Sequence, residues 1–174
     1  MRIMWLLLIA AGAAAAQNLA VRGETVHTMA GAAIRDGVVL IRDGKIERVG
    51  PAASTPVPAG FRLLQAKVVT PGLIDAHSTV GLSGALNQSH DQDQLEQSAP
   101  IQPELRAIDA YNAKDPLVAW IRSLGVTTIH TGHGPGALIS GQTMVAKTTC
   151  ANVEADTVKP AMMVAASQIG RAHV

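Results

Sequence analysis

The sequence predicts a mixed α and β chain in two parts: a small all-β unit, then the opening of an α/β unit whose first strands run parallel. Three observations carry this reading. Asp43-Gly44 lies between two β-rich runs, and this pair tolerates the positive φ angles of a tight hairpin turn. Val69-Thr70-Pro71-Gly72 ends the β-rich part, and Leu73-Ile74 starts a new strand. Beyond it, a helix opening at Asp115-Pro116 is followed by Gly125 and the β-branched run Val126 to Thr131. Strand, helix, strand implies a parallel pair joined by a right-handed crossover.

Taken in order, the chain begins with a leader. Arg2 supplies a positive charge, Ile3 to Ala16 is apolar or small throughout, and Ala14 and Ala16 give the small-residue pattern ahead of Gln17. This is the pattern of a secretory signal peptide over residues 1–16. It is short of the ~20 strongly apolar residues of a spanning helix. A secreted or periplasmic mature protein is expected, with no membrane contact after cleavage.

Strand character follows at Ala20 to Met29, Val38 to Arg42, Lys45 to Val49 and Phe61 to Val69, where β-branched residues favour extended backbone. Pro51, Pro56, Pro58 and Gly60 bar a regular element between the last two. Residues 18–70 therefore form one β unit, and residues 71–174 form the α/β unit. Leu73-Ile74 reads as a short buried strand, and Ser83 to Glu104 as a long polar loop. Asp115 caps the helix, Pro116 takes its first position, and Gly125 ends it. Leu117, Ile121 and Leu124 mark its apolar face. Thr143 to Thr148 is a further extended run, after the glycine-rich turn Gly132 to Gly136.

Composition narrows function. The net charge is +1 and Lys and Arg are scattered, so the clustered cations of a nucleic-acid surface are missing. Aromatic residues make up 2% of the chain, which leaves the core to Val, Leu, Ile and Ala. Cys150 is the only cysteine, so no internal disulfide supports the fold; a lone cysteine of this kind reads as a small apolar residue.

The run Val69-Thr70-Pro71-Gly72-Leu73-Ile74-Asp75-Ala76-His77 resembles the signature of the amidohydrolase superfamily. So do the Asp-Gly-Lys-Ile hairpin with its following Val-Gly-Pro, the block Pro103 to Ala110, Gly125-Val126-Thr127-Thr128, and Leu138 to Gln142. These last blocks are similar to secreted amidohydrolases related to imidazolonepropionase. The resemblance spans about residues 19–150. It implies a composite β-sandwich over residues 18–70, followed by the first βα units of an incomplete (β/α)8 TIM-type barrel. A closed barrel takes about 250 residues, and about 100 follow Pro71. The chain therefore reads as the N-terminal portion of the enzyme, or a truncated gene model, with an open strand edge.

The resemblance further implies a hydrolase acting on non-peptide carbon–nitrogen bonds. A divalent metal, zinc by expectation, would activate water against a cyclic amide or related carbonyl of a small-molecule substrate. His77 is the metal ligand implied by the signature. Two residues on, where alternation would aim a second imidazole the same way, the sequence has Thr79, a poorer ligand for zinc-like ions. His130 and His133, at the end of the second strand and in the turn beyond it, are the imidazoles that could compensate. The alternative implied by Thr79 is a catalytically inactive amidohydrolase-like binding or scaffold protein. Asp75 reads as a backbone-bonding residue, and His90 with Asp91 and Asp93 as a solvated loop.

Overall fold

The structure, a computed structural model, describes residues 18–166. The leader reading lies outside the described residues. The chain divides between Pro71 and Gly72 into two units.

The first unit contains β1 (Leu19–Val26), β2 (Ile34–Arg42), β3 (Lys45–Pro51) and β4 (Arg62–Val69), ordered β3-β2-β1-β4 in one sheet. β1–β2 and β2–β3 are antiparallel, while β1–β4 is parallel. The Asp43-Gly44 hairpin forms as expected. Its two turn residues have φ of 50° and 74°, so both occupy the left-handed region that a type I′ turn requires. Ala20, Val38 and Leu40 form the buried cluster, with Ala52 and Phe61 against it.

The second unit holds β5 (Leu73–Ser78), a loop with one 3-10 turn at Ser89–Asp91, α1 (Ala107–Ala110), α2 (Pro116–Ser123), β6 (Val126–Thr131), β7 (Ile139–Gln142), β8 (Met144–Lys147), α3 (Val153–Asp156), β9 (Thr157–Lys159) and β10 (Val164–Ala166). One sheet is ordered β5-β6-β8-β9, and β10 pairs with β7 in a second.

β5 and β6 are parallel across α2, as the sequence order implies. The helix starts where expected: Asp115 Oδ1 accepts from the Leu117 N–H at 2.7 Å, and Pro116 opens the first turn. Gly125, with φ of 93°, follows its end. The buried face differs at two of the three expected positions, however, with Leu117 only half-buried. Val118 and Ile121 are buried, whereas Leu124 is 60% exposed. Leu124 is the C-cap with φ −89° and ψ 4°, so its side chain has left the helical row.

Two further differences matter. Leu73 and Ile74 are 58% and 70% exposed, because β5 is an edge strand with β6 as its neighbour among the described residues. After β6 the strand direction alternates: β8 runs antiparallel to β6, and β9 antiparallel to β8. The connection from β6 to β8 carries β7 and no helix. A return of that kind suits an antiparallel neighbour, since a parallel one needs a full crossover.

The core of this unit gathers Leu82, Ala107, Tyr111, Ala113, Ile121, Ile129, Met144 and Ala146. Tyr111 is 4% exposed, and among the described residues its hydroxyl has no hydrogen-bond partner. Burial, with the Asp156 carboxylate adding to it, pushes its pKa up to about 12. The folded state therefore favours the neutral phenol, whereas an unfolded phenol titrates near 10. Ionisation therefore leaves stability unchanged below pH ~10, and stability falls by about 2–3 kcal/mol as pH rises from 10 toward 12. Tyr111→Phe keeps the ring and removes the ionisation. Its urea midpoint should match or exceed that of the parent at neutral pH and fall clearly less between pH 9.5 and 12.

Candidate functional site

The carboxyl ends of β5 and β6 lie side by side, and parallel strands of this kind leave a crevice at that end. His77 and Ser78 end β5, His130 and Thr131 end β6, and Gly132 and His133 follow directly. A cleft of about 320 Å³ is lined by all six, together with Thr143 and the segment Met163 to Ala166. The three histidines singled out from the sequence thus converge on one cavity.

Local chemistry explains the placement. The Asp75 carboxylate accepts from the His77 N–H at 3.2 Å, closing the backbone turn that presents the imidazole. This is the backbone-bonding role read for Asp75. The Gly132 N–H donates to the Ser78 carbonyl at 3.1 Å, and the Thr131 hydroxyl donates to the Val80 carbonyl at 2.8 Å. Both bonds tie the two strand ends together. A Cβ on Gly132 would sit 2.4 Å from Thr143 Cγ2 and 3.3 Å from Thr143 Cα, so a glycine is needed where β6 passes β8.

The histidines differ in environment. His77 is exposed. His130 is half-buried, with Nδ1 2.9 Å from the Ala76 carbonyl and Nε2 2.7 Å from Thr143 Oγ1. Among the described residues, both ring nitrogens of His133 are buried without a partner, and burial lowers its pKa. Desolvation disfavours the imidazolium, so His133 offers the cleft a neutral ring with one donor and one acceptor.

Thr79 stands apart from this group. Its hydroxyl pairs with the Ser83 hydroxyl at 2.8 Å, and its carbonyl accepts from the Leu82 and Ser83 N–H groups. Thr79 therefore belongs to the turn that leaves β5. Asp91 likewise serves its own loop, accepting from the Leu86 and Gln88 N–H groups at 2.9 and 2.8 Å, as expected for a solvated loop.

The fit of these residues to a divalent metal follows from the same contacts. The unpartnered nitrogens of His133 suit a ligand. His130 is already bonded on both sides, and Thr79 supplies no imidazole. Among the described residues, no group of three or more His, Cys, Asp or Glu side chains could hold a metal ion. The described residues therefore do not make up a zinc site by themselves. Nor, among them, is any helix long and apolar enough to cross a membrane.

Sequence reasoning missed Thr143 and the Met163 to Ala166 wall. Thr143 reaches the site only because β8 pairs with β6 in a register that sets His130 opposite Val145. Met163 to Ala166 does so through the pairing of β10 with β7. Neither pairing leaves a local signal in the chain.

No protein-family model matches the chain. It is 32% identical over 114 residues to the amidohydrolase tasK of Hapsidospora irregularis, covering 64% of this chain and 12% of that protein. It is 27% identical over 125 residues to the imidazolonepropionase of Methylobacterium nodulans, covering 63% of this chain and 31% of that protein. In three dimensions it resembles the crystal structure of an amidohydrolase from Thermotoga maritima, with a TM-score of 0.74 and 27% identity, over 84% of this chain and 38% of that one. The chain spans well under half the length of each of these proteins. In sequence and, for the Thermotoga protein, in fold, the chain is thus similar to proteins of the amidohydrolase superfamily.

Proposed function

We propose that the protein is a hydrolase of carbon–nitrogen bonds outside peptide backbones, acting on a small molecule such as a cyclic amide. The observation that carries this reading is the cleft at the carboxyl ends of β5 and β6, where His77, His130 and His133 meet. The names of the relatives, amidohydrolase and imidazolonepropionase, support the bond type. Within the same proposal, residues 18–70 form the composite β-sandwich and residues 71–174 the start of a TIM-type barrel. The leader exports the protein to the periplasm or beyond.

Chemically, water adds to the substrate carbonyl carbon, the C–N bond breaks, and the nitrogen leaves with a proton. The side chains here can orient the substrate. A neutral His133 can donate to a carbonyl or accept from an amide N–H, and the apolar Met163 to Ala166 wall shields one side.

A second reading is favoured by one observation. Thr79 and His130, two of the positions that could have completed a pair of metal-binding imidazoles with His77, are engaged within the protein. A chain that binds its small molecule without turning it over would have this arrangement. The two readings separate in one experiment. The full chain, assayed with added divalent metal against a panel of lactams and cyclic ureides, should release ring-opened product, and His77→Ala should abolish that release. Binding of a panel member with no product supports the second reading and overturns the first, and so does undiminished turnover by His77→Ala.

A further inference from the structure

The three imidazoles of the cleft are not equivalent, and their hydrogen bonds say how they differ. Carbonyl oxygens only accept. The 2.9 Å contact from His130 Nδ1 to the Ala76 carbonyl therefore places the proton on Nδ1. In the neutral ring Nε2 is then an acceptor. The hydroxyl of Thr143, 2.7 Å away, is the donor that meets it. Thr143 Oγ1 also lies 3.2 Å from the Met163 carbonyl, but its single proton goes to the nearer nitrogen. Met163 still accepts from the Thr143 N–H at 2.8 Å, so no acceptor is stranded.

Through these bonds one ring joins three parts of the cleft. Ala76 is the residue before His77 on β5. His130 itself is on β6. Thr143 begins the β7–β8 junction, and its backbone holds Met162 and Met163 at the start of the opposite wall. By contrast, among the described residues the His77 ring makes no hydrogen bond, and the His133 nitrogens are buried without partners in the same cavity.

We infer that His130 is a positioning residue, braced at both nitrogens between the two walls, and that His77 and His133 are the imidazoles that meet an incoming ligand. The inference rests on reading this cleft as the functional site. It assigns to His130 a role unlike that of a metal ligand: it fixes the carbonyl beside His77 and the distance between β5 and the Met163 segment.

The test is nitrogen-15 NMR of the full chain with labelled histidine, titrated with zinc chloride alone as a probe of free imidazole lone pairs. Signals are assigned from the spectra of His77→Gln, His130→Asn and His133→Gln. His130 should show the Nδ1–H tautomer, and neither of its nitrogens should move as zinc is added, while His77 and His133 shift or broaden. His130→Asn, which keeps a donor near the Nδ1 position, should preserve the zinc response of His77, and His130→Ala should weaken it about tenfold in apparent affinity. An Nε2–H tautomer at His130, a His130 Nε2 signal that follows zinc, or silence at both His77 and His133 would overturn the assignment. Turnover assays on the same samples keep the two ideas apart. The expected tautomer and zinc pattern without hydrolysis removes the proposed reaction and leaves the role of His130 standing. Hydrolysis with His130 following zinc does the reverse.

Discussion

Replacement of Gly81 by alanine should destabilise the chain by about 3 kcal/mol, from left-handed backbone strain and overpacking together. Gly81 has φ of 87°, a conformation that side-chain-bearing residues adopt at a cost. An added Cβ would also lie 2.2 Å from Tyr111 Cε2 and 2.5 Å from Cδ2. Relief is blocked on both sides. The ring is packed in the central cluster, and the Gly81 carbonyl is held by the Asn112 N–H at 2.7 Å. Gly125→Ala separates the two contributions. Gly125 has φ of 93°, yet nothing lies within 4 Å of its added Cβ. It should cost only about 1 kcal/mol, the backbone part alone. Urea midpoints at unchanged slope measure both, and equal losses would show that the Tyr111 contact carries no weight.

Asp156→Ala should be comparably damaging, at about 3 kcal/mol, because it removes both hydrogen bonds that a buried carboxylate accepts. Asp156 is fully buried. One carboxylate oxygen accepts from the Thr149 hydroxyl and the other from the Ala151 N–H. Alanine removes both acceptors, whereas Asp156→Asn keeps one carbonyl oxygen and should lose less. The Asp156 charge also contributes to the raised pKa of Tyr111, after burial itself. Asp156→Asn should therefore lower the midpoint of Tyr111 ionisation, followed by tyrosinate absorbance at a pH where the variant remains folded. An unmoved midpoint would show that the Asp156 charge carries no weight there.

Elements with a local chemical signature were readable in the chain. The Asp43-Gly44 turn, the Asp115-Pro116 helix start and the Gly125 stop each depend on residues adjacent in sequence. The parallel β5–β6 pair followed from element order. What escaped depended on tertiary pairing. The exposure of Leu73 and Ile74 follows from the edge position of β5, and the buried face of α2 turned on the non-helical backbone of Leu124. The antiparallel return of β8 brought Thr143 to His130. The histidines of the cleft were visible as residue types at strand ends. Their division into one braced ring and two free ones required distances.

The β5–β6 pairing also bears on the order of folding. Its side-chain ties, Thr127 to Leu73 and His130 to Ala76, each join residues 54 apart in the chain. The β2–β3 ladder closes through a two-residue turn. Loop closure over a long span carries an entropy cost that a hairpin avoids, and non-local topologies fold slowly for that reason. The histidine cleft thus depends on the pairing that carries the larger closure cost, so a loosening of that long-range pairing would open the cleft while leaving the Asp43-Gly44 hairpin intact.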